Sequence, residues 1–371
     1  MINQHLKATT LPEKITQQAI TEREEFIALS SDARNVAQKS IIFAEPICFP
    51  QCSPSGYEYL PDEPIYNPQH HLALEKPTKI YRLDEFGYEE SIIAKFPTNL
   101  AITSPIRLLS EEGVAALHEV SLALQCYSQS CERIPNMVRG GVYRSKFVRD
   151  LCLCPIVAEF LSEIASIPLA AHSMPLMLGH FNFAPQDFTQ AIDKWHTDSI
   201  AFDYVLMVTN PSQLAGGKFQ YFNGTKEEGE ELLKHTKDLP EDRIMTPVFP
   251  DAGYAVLQQG SMVMHRATRL MHPAERITMV NGYVSLDVNF PDQSRFADMK
   301  AVDEHHVLFP EWARYKAWLS RSKLDVLIQE LPFTNDRAAL CAALRSAIAD
   351  VEAAIADIQE TDESKMLYYG S

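Results

Sequence analysis

The 371-residue chain has no apolar run near the roughly 18 residues a membrane span needs, and it shows no internal repeat or low-complexity tract. Residues 1–7 lack the apolar core of a secretory signal, so a cytoplasmic protein without membrane contact is expected. Basic character is scarce. With 33 Lys and Arg against 49 Asp and Glu, the formal net charge is -16, which argues against nucleic-acid binding because neutralising phosphates needs a basic footprint. Cysteine offers no framework either. The seven residues (Cys48, Cys52, Cys126, Cys131, Cys152, Cys154, Cys341) are odd in number and match no zinc spacing, so they read as small apolar side chains. What remains is an ordinary globular composition, 46% hydrophobic and 22% charged, long enough for a large core.

Residues 13–39 follow Thr10 and Pro12 and read as helix. Between 43 and 79, seven prolines break helices and ladders alike. Phe43, Phe49, Tyr57, Tyr59, Leu60, Ile65 and Tyr66 are nevertheless too apolar to leave in water, so an ordered irregular arm wrapped over a core is expected. Ser110-Glu111-Glu112-Gly113 opens a capped helix, and residues 150–167 read as a second. From Pro168 the character changes. Segments 176–183, 203–209, 218–222, 255–258, 261–267 and 277–287 are short, apolar or alternating, and separated by turns, as in a sandwich or barrel. After Pro291 helix returns. Leu340, Leu344, Ile348, Val351, Ile355 and Ile358 form a stripe of helical period, expected to pack back on its own domain, with a homodimer through the C-terminal helices as the alternative. Three regions result: 1–105, an N-terminal helix and proline-rich arm; 106–290, helices plus a catalytic core; 291–371, a C-terminal helical region. The arm and the C-terminal helices are candidates for a lid over a small-molecule pocket.

One constellation carries chemistry. In an extended segment, residues two apart point to the same side, so His196 and Asp198 can reach one metal. Two histidines and a carboxylate occupy one face of an Fe(II) octahedron and leave three positions for a bidentate 2-oxo acid and O2. His265, after Gly260-Ser261, supplies the second imidazole if its strand returns to the same pocket, as in a jelly-roll barrel. Arg276, eleven positions later, opens another strand. A guanidinium there can grip a distal carboxylate, and Thr278 on the same face adds a hydroxyl. A lone His-x-Asp is a chance pattern, and it is the ordered set that carries the signal. His272 competes with His265, but it stands beside Pro273 in a turn with no arginine at the right distance.

The set His196-Thr197-Asp198, Gly216-Gly217-Lys218-Phe219-Gln220-Tyr221-Phe222, Gly260-Ser261 before His265-Arg266, and Arg276-x-Thr278 resembles the Fe(II)/2-oxoglutarate dioxygenase superfamily over residues 176–287. The resemblance implies an α+β chain with a double-stranded β-helix (jelly-roll, cupin-like) core flanked by N- and C-terminal helices. It implies iron at His196, Asp198 and His265, and 2-oxoglutarate at Arg276 and Thr278, with O2 as second co-substrate and succinate and CO2 as products. Related halogenases have a small residue where Asp198 stands, so hydroxylation, or desaturation or cyclisation by the same oxidant, is implied over halogenation. Asn210-Pro211 with the glycine-pair strand is similar to branches that oxidise amino acids and other small polar metabolites. Candidate substrate residues are Arg139 and Arg144 in the basic stretch 139–149, His180 and Asn182 on the preceding strand, and Arg266 beside His265. Surface pairing is the plainer reading for Arg266, and Asp203 reads as a buried structural acid. The alternatives are a cupin-like metal enzyme without 2-oxoglutarate, which leaves Arg276 without a duty, a zinc hydrolase, for which no general base is evident beside the site, and a non-catalytic binding protein, which would not need the complete set.

Overall fold

The computed structural model describes residues 43–361 and 364–369, so the helix expected over 13–39 lies outside the described residues. Two antiparallel sheets form the centre. The strands are β1 Leu72–Glu75, β2 Ile80–Arg82, β3 Leu100–Thr103, β4 Ile106–Leu109, β5 Met137–Val138, β6 Leu169–Ala171 and β7 His180–Phe183. They continue with β8 Asp193–His196, β9 Phe202–Met207, β10 Phe219–Phe222, β11 Ile244–Met245, β12 Tyr254–Gln258, β13 His265–Ala267 and β14 Ile277–Ser285. The larger sheet runs β1-β4-β12-β9-β14-β7-β5, with β3 also on β12, β2 on β3 and β6 on β14; the smaller runs β11-β10-β13-β8. This is the expected α+β jelly-roll core.

The large sheet is covered on both faces, so strand residues sort by parity. On β9, Phe202, Tyr204 and Leu206 point to one apolar core, while Val205 and Met207 point to another between the sheets. The first core is closed by helices Glu111–Leu124, Lys146–Cys152 and Pro155–Ala165. Ser110 caps the first of these, its hydroxyl accepting from Gly113 N at 3.0 Å, as its sequence foretells. The helix expected over 150–167 is instead two. Pro155 lacks an N–H and sits at the start of the second helix, and Leu153 ends the first.

The proline-rich stretch divides at His71. Residues 43–67 form an irregular arm whose Phe49, Leu60 and Tyr66 pack on the sheet core, and whose Phe49 and Tyr57 rings lie 5.5 and 5.6 Å from that of Tyr143. Residues 72–109, expected to belong mostly to the arm, contribute β1 to β4 to the large sheet. At the C-terminal end, helices His305–Glu330 and Arg337–Gln359 pair through Trp312 Nε1 to Asp357 Oδ2 (3.0 Å) and Lys323 Nζ to Asp350 Oδ2 (2.5 Å). The second helix turns Ala347, Asp350 and Ala354 inward and leaves Leu344, Ile348 and Ile355 exposed. The apolar stripe therefore makes the expected intramolecular contact only in part: Ile358 packs on the C-terminal core, while Leu344, Ile348 and Ile355 face outward. Among the described residues no helix is long and apolar enough to cross a membrane.

Candidate metal centre and co-substrate pocket

His196 ends β8 and His265 begins β13, and the two are direct partners in the ladder of the small sheet. Opposed residues on an antiparallel pair share a face, which brings the imidazole centroids to 4.2 Å. Each ring is turned by its own backbone: His196 Nδ1 donates to Lys194 O at 2.6 Å, and His265 Nδ1 to Val263 O at 2.9 Å. That fixes the tautomer and turns both Nε2 lone pairs toward the pocket, the one on His265 lying 3.2 Å from Gln258 Nε2. Asp198, just past the end of β8, meets them with Oδ1 3.4 Å from His196 Nε2 and Oδ2 3.3 Å from His265 Nε2. The three ligand atoms lie within 4.8 Å of one another, and two imidazoles with a carboxylate fit a divalent transition metal. Burial, with Arg133 nearby, pushes His196 down to about 3, so it is neutral at pH 7. Burial alone would raise the Asp198 carboxyl, but the two histidines outweigh it and hold it well below the ordinary range.

Behind the carboxylate lies Gln258 of β12, fully buried. Its Nε2 donates to Asp198 Oδ2 and Asp203 Oδ1, both at 3.0 Å. Asp203 is held well above its usual value by burial and by Asp198, so it is the neutral structural acid expected of it. Gln258 therefore sets the rotation of the carboxylate presented to the metal. Gln258→Leu keeps the volume and loses the donor, and should weaken Co(II) binding about 10- to 100-fold by calorimetry. Unchanged affinity would show that Asp198 holds its pose unaided.

Arg276 stands at the start of β14, 2% exposed, with Nε donating to Gly217 O at 3.1 Å and Nη1 to Thr278 Oγ1 at 3.0 Å. Gly216 and Gly217 both have positive φ (85° and 63°), a conformation that turns the Gly217 carbonyl to the arginine and that side-chain-bearing residues rarely adopt. Burial lowers Arg276 to about 10, which still leaves it cationic at pH 7. Across the same cavity lies Arg133, with an 8% exposed side chain. Its Nε approaches Asp193 Oδ1 at 3.0 Å without hydrogen-bond alignment, and its Nη1 has no partner.

The cavity brings together His180, Asn182, Arg139, Arg266, Arg276 and Thr278 with the three donors. It does not include Arg144, whose guanidinium lies over the rings of Tyr57 (4.2 Å) and Tyr127 (4.0 Å), nor His272, which is exposed. Arg266 reaches the wall, but its guanidinium is taken by Gln220 and by both oxygens of Asp238, the plainer of its two readings. Arg133, Gln258 and Asp193 were not foreseen; no local pattern marks them. One wall comes from Met366, on a tail held by Leu367 N to Asp298 Oδ1 (2.9 Å) and Tyr369 N to Trp195 O (2.7 Å). The tail thus reaches the cavity together with Asp298 and Met299 of the short helix Phe296–Lys300, whereas helices His305–Glu330 and Arg337–Gln359 contribute no lining residue.

A family model described as Halogenase D matches residues 112–300, just over half of the chain. No curated protein matches it. Among solved structures, HygX from Streptomyces hygroscopicus, with nickel and 2-oxoglutarate bound, is 14% identical over 47% of this chain and 78% of that one, at a TM-score of 0.35. The non-haem α-ketoglutarate-dependent carbocyclase SnoK from nogalamycin biosynthesis is 13% identical (55% and 86% covered, TM-score 0.37). The epimerase SnoN from nogalamycin biosynthesis is 15% identical (47% and 74%, TM-score 0.34). Overlaps that loose carry no weight by themselves. With a family model spanning more than half its length, the chain belongs to the Halogenase D family.

Proposed function

We propose that this protein hydroxylates an unactivated C–H bond of a small, carboxylate-bearing metabolite such as an amino acid, with iron at His196, Asp198 and His265 and 2-oxoglutarate at Arg276. The observation that carries this reading is the convergence of two tautomer-fixed imidazoles and a carboxylate beside a buried arginine in one cavity. Iron with 2-oxoglutarate supplies, when bound, an oxidant for such C–H bonds, with succinate and CO2 as co-products.

The chain's own residues do the rest. Backbone carbonyls orient the imidazoles, Gln258 orients the carboxylate, and Arg276 aims the co-substrate by its distal end. Burial of both imidazoles, Gln258 and Arg276 limits the access of water to the reacting atoms, while Asp198 stays partly exposed. Arg133 is the residue suited to a substrate carboxylate. It is buried, cationic and short of partners, so an entering anion would satisfy donors that are otherwise left unpaired. Asp198 supports oxygen transfer over halide transfer, whatever the family's name, because its carboxylate stands where the related halogenases carry a small residue.

The test begins with anaerobic Fe(II)-loaded protein titrated with 2-oxoglutarate, read by the weak visible absorption of the chelate. Amino acids are then screened for succinate release with and without chloride, and products are weighed. The expected product gains one oxygen atom and does not depend on chloride. Loss of two hydrogens would mean desaturation or cyclisation by the same oxidant, and chlorine in place of hydrogen would overturn the hydroxylase reading. Arg133→Met should raise KM for the amino acid while leaving 2-oxoglutarate affinity intact. No chelate band would remove the co-substrate assignment altogether.

A further inference from the structure

Arg139 follows β5, and its guanidinium forks onto Asp303, with Nε 2.8 Å from Oδ1 and Nη2 2.7 Å from Oδ2. The Asp303 side chain is 0% exposed. The remaining arm, Nη1, points to His180 Nδ1 at 3.0 Å. A guanidinium has no acceptor, so Nδ1 must accept and the imidazole must carry its proton on Nε2. Nε2 lies 2.5 Å from Asn182 Oδ1 and donates to it. The amide oxygen is thereby committed, and Nδ2, with its two N–H groups, has no protein partner among the described residues. Asn182 lines the cavity and is the ladder partner of Thr278, whose hydroxyl accepts from Arg276. The uncommitted donors therefore open beside the co-substrate cation.

We propose that Asn182 donates from Nδ2 to a carboxylate oxygen of 2-oxoglutarate, and that Asp303–Arg139–His180 is a positioning chain that fixes which end of the amide faces the cavity. This rests on the 2-oxoglutarate reading above. The two orientations of an asparagine amide have the same shape, and only the neighbouring proton distinguishes them. Flipped, the amide would offer an oxygen to a carboxylate and repel it. His180 thus acts on the ligand through Asn182 and not by touching it.

Two measurements test the chain. Nitrogen NMR of the histidine-labelled, metal-free protein should show His180 protonated at Nε2, and a proton at Nδ1 overturns the proposal. In the anaerobic Fe(II) titration, Asn182→Ala should weaken 2-oxoglutarate binding about tenfold or more. Asn182→Asp keeps the acceptor for His180 but turns a second oxygen to the ligand, and should be weaker still. His180→Phe should lose about as much as Asn182→Ala, and the double variant no more than either, since both remove one shared contact. Additive losses would reduce His180 to a packing role and overturn the chain. Wild-type affinity in Asn182→Ala would overturn this proposal and leave the 2-oxoglutarate reading standing. Failure of the wild type to bind 2-oxoglutarate would overturn both.

Discussion

Gly260→Ala should abolish metal binding as thoroughly as removal of a histidine ligand. A Cβ at position 260 would overlap Oδ2 of both Asp198 and Asp203 and would also approach Asp198 Cβ at 2.9 Å. Neither backbone can retreat. Asp198 N donates to Gly260 O at 2.8 Å, which locks the two backbones together at the point of overlap, and Asp203 is wholly buried in the large sheet. The cheapest relief is rotation of the Asp198 carboxylate away from His196 and His265, which dismantles the ligand set. Affinity for Fe(II) or Co(II) should fall by roughly 100-fold or more, since first-sphere losses exceed the 10- to 100-fold of outer-sphere ones. Calorimetric metal titration checks it, with circular dichroism to confirm that the barrel survives. Ser261→Ala, one residue on, is the control and should bind metal normally. If Gly260→Ala binds metal like the wild type, the close approach of backbone and carboxylate is not what places Asp198.

Arg276→Ala should have the second-largest effect, and on a different ligand. Losing one partner of a buried charge pair costs about 2–5 kcal/mol, which is roughly 30- to several-thousand-fold in 2-oxoglutarate affinity. Arg276→Lys should not rescue it. The guanidinium is held in register by Gly217 O on one arm and Thr278 Oγ1 on another, and an ammonium cannot keep both while presenting a planar fork to a carboxylate. Metal affinity should be unchanged in both variants, which separates this site from the iron ligands. Co(II) titration followed by 2-oxoglutarate titration distinguishes the two. Near-normal 2-oxoglutarate binding by Arg276→Lys would mean that Arg276 acts as a point charge and that the fork is incidental.

The residues legible in the sequence are those whose spacing has a local physical meaning. His196 and Asp198 are two apart in extended chain, Arg276 and Thr278 likewise, and the glycine pair at 216–217 marks a backbone that needs positive φ. Arg133, Gln258 and Asp303 reach their partners from a loop, the end of a strand and an interhelical turn, and only closure of the fold brings them there. Arg139 and Arg144 look equivalent five residues apart, yet one forks onto a buried aspartate and the other stacks on surface rings. In the fold, β1 to β4 escaped notice because three- and four-residue strands among prolines show too little alternation. The C-terminal stripe has true helical period, but period says which residues share a face and not whether that face is turned to a neighbour.

The parity of the large sheet bears on how such a protein diversifies. On β7, β9 and β14, Phe181, Phe183, Tyr204, Leu206, Ile277 and Met279 serve the packed core, and the residues between them (His180, Asn182, Asp203, Val205, Thr278 and Val280) line the cavity. Mutational load on stability and mutational search for new substrates therefore fall on interleaved, nearly separate sets of codons. A lineage can exchange Val280, which is only half-buried, to accept a different molecule without spending the folding margin carried by the opposite face. In the same way, it can repair that margin without disturbing the chemistry.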